Sequence, residues 1–467
     1  MVIFDVVIGF IVQLLSTPAV MIGLIALIGL LIQRKPTTDV IRGTIKTIAG
    51  FTLIGAGAGV VIAAISPLNV LLSGTFHFTG INPVNESCFA AAVITYGSSL
   101  SAIMAGGMIV NLIVARFTKF KFIYLTGHEM MWVATVLAIV LGAAKLPMWQ
   151  IIIGGALITG TYMAVFPAII YKSVCKVTGT KDLAVGHTGI LFYWVAIALA
   201  KLFGDKKKSC EDLNVPKSLN FLRDLTVSLS ISMWIMYMIV SLLAMSIDPV
   251  LATATFAGTN VVIFSLTYAV QFAVAIYIIQ AGVRMFVAEL VPAFQGVAEK
   301  FIPNSVPALD IPILYPYQPN SVLIGFMVAA VGGIVAFLIQ VALVGTAFEL
   351  PVILPTLFIA FFFGATFGAL GNVHGGIRGV VIGSFFASMV AQFVPALLIK
   401  FGGVLVSGTT FGGSDTALLG IVYGSLSKII TPTGIFICTI VMFLLPFIYS
   451  FVTRNKPGMT ERTKEVE

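Results

Sequence analysis

Eleven apolar stretches, each long enough for a bilayer crossing, dictate what this chain can fold into. A helix needs about 20 apolar residues to span roughly 30 Å of hydrocarbon. The stretches run near 12–33, 47–66, 89–115, 127–143, 149–171, 227–247, 261–283, 321–345, 352–371, 379–399 and 434–453. In lipid every backbone N–H and C=O must be satisfied within the protein, so these segments must be helices. Only 9% of the 467 residues are charged and 59% are hydrophobic, against roughly 25% charged in a soluble domain. The fold class is therefore an all-α polytopic membrane protein surrounded by a lipid bilayer. A soluble enzyme is excluded, and no nucleic acid partner is expected, because the net charge of +8 resides in the loops.

Two further apolar stretches, Ile190 to Ala200 and Ala417 to Leu426, are too short to cross. Eleven helical residues reach only about 16 Å. Each follows a polar, Gly-rich lead: Gly186-His187-Thr188-Gly189 in one case, Gly412-Gly413-Ser414-Asp415-Thr416 in the other. Such segments are expected to be re-entrant hairpins, whose polar backbone must line a cavity or be buried in protein.

The basic residues set the orientation. With the N-terminus outside, eleven crossings leave the C-terminus inside. Every Lys and Arg except Lys145, Lys400 and Lys428 then falls on the inner side, as the positive-inside rule requires. The first apolar stretch has no basic leader and no small-residue cleavage site, so it reads as a membrane element. Cys88, Cys175, Cys210 and Cys438 are scattered, with no metal-ligand spacing, so neither a zinc site nor a disulfide framework is expected, and no cofactor.

An internal repeat is legible. One spacing carries Phe166-Pro167-Ala168-Ile169 onto Val394-Pro395-Ala396-Leu397, and also Gly186-His187-Thr188 onto Ser414-Asp415-Thr416. Nearly the same spacing carries Ile54-Gly55-Ala56-Gly57 onto Ile279-Gln280-Ala281-Gly282. The expected organisation is a first repeat over 1–204, with five spans and a hairpin, and a cytoplasmic linker over 205–225. A second repeat then covers 226–430, and a last span with a cytoplasmic tail, polar and mobile, covers 431–467. An odd number of spans inverts the second copy, as in transporters that alternate access around a midplane site.

Ionisable residues at membrane depth mark functional sites by default. Five places stand out: Gly127-His128-Glu129-Met130-Met131-Trp132; His187-Thr188; Asp310 between Leu309 and Ile311; Asp415-Thr416; and the broken approach Asn82 through Phe89. Carboxylates and imidazoles offer the paired donors and acceptors that sugar hydroxyls need. Half-helix N-termini add backbone N–H groups and favour an anion, and Trp132 or Phe89 can stack on a ring. The alternatives stay open: His128 and His187 as helix caps, Asp310 as a brace for a broken loop, Asp415 as an N-cap. Glu289 reads as half of an ion pair with Arg284, and Glu86 as a solvated loop residue. His77 and His374 have no partner in sequence. His128-Glu129 opens like a metalloprotease motif, but the second His is missing, and no phosphate-binding loop is present. The candidates are thus a carrier of a small polar carbohydrate or, with little to support it, an intramembrane enzyme using His128 and His187.

Over nearly its whole length the sequence resembles the ascorbate-type enzyme IIC permeases of the bacterial phosphotransferase system. The resemblance is carried by Arg42-Gly43-Thr44-Ile45-Lys46-Thr47, Leu125-Thr126-Gly127-His128, Gly186-His187, Asp310 and Pro319-Asn320. The most specific run is Gly282-Val283-Arg284-Met285-Phe286-Val287-Ala288-Glu289-Leu290. It implies a homodimer in the cytoplasmic membrane, each protomer with a V-shaped scaffold and a substrate-carrying core domain. Substrate would be phosphorylated inside by a separate enzyme IIB, supplied by enzyme IIA. Only fourteen residues follow the last span, so the chain should depend on those subunits. The family's binding positions fall on Cys88, Phe89, His128, Glu129, Met130, Met131, Trp132, His187, Thr188 and Asp310. Trp132 and Thr188 replace glutamines usual in the family, and Cys88-Phe89 replaces Thr-Tyr. Lost amide hydrogen bonds shift specificity strongly, so ascorbate or a related sugar acid, pentose or polyol is the expected cargo. The alternative mechanism is ion- or proton-coupled secondary transport.

Overall fold

The computed structural model describes residues 18–76, 80–213, 224–355, 357–406, 408–456 and 458–460. His77, Lys217, Arg223 and the residues before 18 lie outside these, as do the side chains of Arg284 and Glu289.

The first part of the chain runs α1 (Pro18–Ile32), α2 (Thr37–Phe76), β1 (Gly80–Pro83), α3 (Asn85–Phe117) and β2 (Phe122–Tyr124). It continues with α4 (Gly127–Ala143), α5 (Met148–Val165), α6 (Pro167–Thr178), β3 (Ala184–Val185) and α7 (Ile190–Phe203). The second part runs α8 (Leu225–Ile247), α9 (Pro249–Phe256), α10 (Val261–Phe301), β4 (Val306–Leu309) and α11 (Pro319–Ala342). It ends with β5 (Val352–Ile353), α12 (Leu357–Leu397), β6 (Thr409–Thr410), α13 (Ser414–Leu426) and α14 (Pro432–Val452). Pro167, Pro249, Pro319 and Pro432 each open a helix, where the missing N–H costs nothing and φ is already helical.

Among the described residues, seven helical segments are long and apolar enough to cross a membrane, and the chain is an integral membrane protein. This is fewer than eleven for identifiable reasons. The stretch near 12–33 begins outside the described residues, that near 47–66 includes residues whose side chains are not described, and that near 127–143 is short, leaving Ala63–Thr75 and Gly127–Ala143 as shorter apolar helices. The segments near 352–371 and 379–399 join into α12.

That junction is not a straight helix. Gly375 and Gly376 leave helical geometry, Gly376 with φ 54° and ψ −153°, a region only glycine adopts readily. A Cβ there would strike the carbonyls of Asp205 and Lys208. On either side of the break the chain runs in opposite directions. Going along α11, Ser321 meets Gly368 and Gly325 meets Gly364, so the first half of α12 is antiparallel to it. Gly332 then meets Phe385 and Gln340 reaches Gln392, so the second half is parallel. α12 is thus a hairpin of two helices around Gly376.

Burial separates interior from periphery. In α4 only His128, Ile139, Gly142 and Ala143 are not buried. In α14, by contrast, Ile437, Val441, Leu445 and Ile448 stand exposed on one face. So much apolar surface is tolerated only if lipid covers it.

Two small parallel sheets lie among the helices, in the orders β5-β1-β6 and β2-β4-β3. In each, the central strand comes from one part of the chain and both flanking strands from the other. Sheet edges inside a membrane protein must be closed, and buried amides close them. Asn111 donates to Phe122 O at 3.0 Å and accepts from Tyr124 N at 3.1 Å along β2. Along β5, Gln340 accepts from Ile353 N at 3.0 Å and Gln392 donates to Ile353 O at 2.5 Å.

The described part of the 205–225 linker is fixed. Glu211 accepts from the amides of Asn320 (3.1 Å) and Ser321 (2.8 Å) at the start of α11. Cys210 N donates to Asn372 Oδ1 at 2.9 Å. The start of the tail is held as well, since the Lys119 ammonium donates to the carbonyls of Thr453 and Lys456, satisfying free acceptors beyond the end of α14.

Candidate functional site

The three strands of the β2-β4-β3 sheet run parallel, with Tyr124 beside Ala308 and Val185 beside Leu309. Their carboxyl ends therefore point to one place, the usual position for ligands beside parallel strands. β2 leads into α4 and His128, β3 into His187, and β4 into Asp310. Asp310 caps its own 3-10 turn, Ile311–Tyr317, by accepting from Ile311 N at 2.8 Å.

Glu129 lies at the centre. Its Oε1 is 3.2 Å from His187 Nε2 and 3.4 Å from His128 Nε2, and its Oε2 accepts from Thr188 N at 2.7 Å. His128 Nε2 is also 3.4 Å from Asp310 Oδ2. On the far side of the His187 ring, Nδ1 accepts from Gly189 N at 3.0 Å and lies 2.8 Å from the Tyr193 hydroxyl. An accepting Nδ1 places the ring proton on Nε2, facing Glu129. Access is uneven: the Glu129 side chain is 4% exposed and that of Asp310 34%. Among the described residues, His128 Nδ1, Thr126 Oγ1 and Thr188 Oγ1 are buried without a hydrogen-bond partner. Buried polar atoms left unpaired are costly, and here they border the open side chains.

The aromatic wall is present. Trp132 stands edge-on to Phe89 at 6.2 Å between ring centroids and to His128 at 6.4 Å. Cys88 Sγ lies 3.9 Å from Thr409 Oγ1. Met130 and Met131 are buried in the apolar core with Cys88, Phe89 and Trp132. The structure thus brings His128, Glu129, His187, Thr188 and Asp310 together, with Trp132 and Phe89 beside them.

Asp415 has a different place. The N-termini of the two short helices α7 and α13 meet. Asp415 accepts from Ile190 N and Leu191 N, each at 3.1 Å, and its own N–H donates to Thr188 O at 2.9 Å. It is an N-cap, but of the other short helix. Ser414 Oγ donates to it at 2.7 Å, and the Tyr162 hydroxyl lies 3.0 Å from Asp415 Oδ2 and 2.9 Å from His187 O. Glu86 is buried in the first turn of α3 rather than solvated, and His374 pairs with Ser173 Oγ at 2.9 Å. Tyr162, Tyr193 and Asn111 were not singled out from the sequence. Asn111 could have been, as a lone amide within Ile109-Val110-Asn111-Leu112. The tyrosines sit among many apolar aromatics and carry no local signature. Among the described residues no three His, Cys, Asp or Glu side chains are placed to hold one metal ion. An apolar groove of about 300 Å³ lies against Met236, Phe337 and Phe363, with no charged side chain among the described residues that line it.

Comparison with known proteins adds two findings. A model of the family described as the PTS system sugar-specific permease component, EIIC-GAT, matches residues 13–415. The ascorbate-specific PTS system EIIC component of Mycoplasma pneumoniae is 29% identical over 371 residues, covering 70% of this chain and 56% of the relative. The chain therefore spans little more than half the length of that relative.

Proposed function

The chain belongs to the EIIC-GAT family of sugar-specific permease components of the phosphotransferase system, and from that premise we propose that it carries ascorbate or a related small sugar acid across the cytoplasmic membrane. The observation that carries this reading is the convergence of His128, Glu129, His187 and Asp310 at the ends of three parallel strands. Asp310 and His128, the accessible members, receive the substrate hydroxyls. Glu129 holds both imidazoles in register from behind. Thr188 adds a hydroxyl, Trp132 and Phe89 flank the ring, and Cys88, Met130 and Met131 back them. Carriage alone is energetically neutral, and phosphorylation by separate IIB and IIA subunits inside traps the product.

The finer architecture follows the same reading. It comprises eleven crossings with a hairpin in α12, two re-entrant helices α7 and α13 meeting tip to tip, and inverted repeats on either side of the linker. The exchanged strands of the two sheets support the repeat. The distribution of Lys and Arg supports an external N-terminus and an internal C-terminus. The scaffold and core domains and the homodimer rest on the family resemblance. The family favours phosphotransfer coupling over ion-coupled uptake.

Purified protein should bind labelled ascorbate saturably, and Asp310→Ala should weaken binding about ten- to a hundredfold, the worth of a hydrogen bond to a charged group. Full affinity in that variant would remove Asp310 from the site. Uptake into vesicles should require IIA, IIB and phosphoenolpyruvate; uptake that persists without them and collapses with a protonophore would overturn the coupling.

A further inference from the structure

A second polar pocket lies across the first turn of α3 from the candidate site. Ser87 and Phe89 are two residues apart on that helix and so point to opposite sides; Phe89 meets Trp132, whereas Ser87 lines the pocket. The cavity has a volume of about 340 Å³, within the range of small-molecule sites, roughly 300–1,000 Å³. α2 forms one wall with Ser66, Asn69 and Ser73, and Asn82 of β1 and Thr409 of β6 form the other.

Its polar groups are only partly used. Thr409 is satisfied: its hydroxyl donates to Asn82 O at 2.7 Å and accepts from Val84 N at 3.2 Å. Ser73 donates to Asn69 O at 2.8 Å. Among the described residues, however, Asn82 Oδ1, Asn82 Nδ2, Asn69 Oδ1 and Ser87 Oγ are buried with no hydrogen-bond partner. Asn82 and Ser87 are each only 3% exposed. Each buried unpaired donor or acceptor costs about 1–3 kcal/mol, and a polar molecule admitted to the cavity by small side-chain adjustments would recover part of that cost. A side-chain amide offers a donor and an acceptor side by side, and serines offer either, which is the complement of neighbouring hydroxyls. Among the described residues no Asp, Glu, Lys, Arg or His lines the cavity, which favours an uncharged occupant.

We infer that this pocket is a second binding site, separate from the histidine–carboxylate cluster, that takes a neutral polyhydroxylated molecule such as a polyol. The inference goes beyond the proposed transport of a sugar acid and does not depend on it.

The experiment is calorimetric titration of the purified full chain with xylitol and, separately, with ascorbate. The variants are Asn82→Leu, Ser87→Ala and Asp310→Asn, and melting temperatures check that each is folded. Xylitol should bind wild type saturably. Asn82→Leu should weaken it about tenfold or more and Ser87→Ala by less, at roughly one hydrogen bond per lost group, while Asp310→Asn leaves it unchanged. If Asn82→Leu does not fold, Ser87→Ala, which removes one oxygen, decides. The inference is overturned if wild type shows no saturable xylitol binding, the pocket then holding water only. It is equally overturned if xylitol binding is lost in Asp310→Asn but kept in Asn82→Leu or Ser87→Ala. Ascorbate binding that fails everywhere counts against the proposed function and leaves the xylitol result standing.

Discussion

Around β4, three parallel strands deliver His128, His187 and Asp310 to one point; around β1, the strands are followed directly by Val84, Phe411 and Leu354. The backbones are alike: a central strand from one part of the chain, flanks from the other, and an outer edge closed by side-chain amides. The chemistry is not. The first end carries two imidazoles and two carboxylates linked as a chain, His187 to Glu129 to His128 to Asp310, by contacts of 3.2, 3.4 and 3.4 Å. The second carries Asn85, whose Oδ1 accepts from Gly412 N at 2.9 Å, next to the buried carboxyl of Glu86. Strand ends and helix starts thus supply a convergent polar place twice, and side chains decide whether it suits an anion's hydroxyls or an uncharged molecule.

The comparison can be broken at several points. Glu129→Ala should have the largest effect, since it strips both imidazoles and Thr188 N of a shared partner. Losing one member of a buried charged network costs about 3–5 kcal/mol, read as a large fall in melting temperature in detergent, with Glu129→Gln falling less. A melt equal to wild type would show that the cluster is not coupled. Next comes Asp415→Ala, which uncaps the first turn of α7 and frees Tyr162. A loss of about 1–3 kcal/mol is expected, partly recovered by Asp415→Asn; equal losses in the two variants would argue against the cap. Asn111→Leu and Gln340→Leu test the likeness of the two sheets directly. Each opens an edge strand and should cost about 1–2 kcal/mol, and a wide disparity in unfolding midpoint would break the equivalence. Asn85→Ala should be mildest, about 1 kcal/mol for one neutral hydrogen bond. A loss as large as that of Glu129→Ala would mean that the end around β1 is as tightly organised as the end around β4.

The site was legible in part. His128, Glu129, His187 and Asp310 stand out because a charge inside an apolar run is costly and must be matched. Their mutual geometry was not legible, since they come from three segments whose strands pair across most of the chain. Met130 and Met131, like Cys88, Phe89 and Trp132, are buried in the apolar core beside the cluster. Asp415 was read as a cap, but the helix it caps begins more than two hundred residues earlier, and no local pattern announces that.

What the sequence determined alone is the lipid-embedded, helical character of the chain, because hydropathy and segment length are local properties. It also pointed to two short helices, which the structure places at Ile190–Phe203 and Ser414–Leu426. The tertiary structure decided which strands pair, that α12 turns back at Gly376, and that the tips of α7 and α13 are joined through Asp415. Those outcomes depend on backbone groups meeting across long separations, where the need for every buried N–H and C=O to find a partner selects the arrangement.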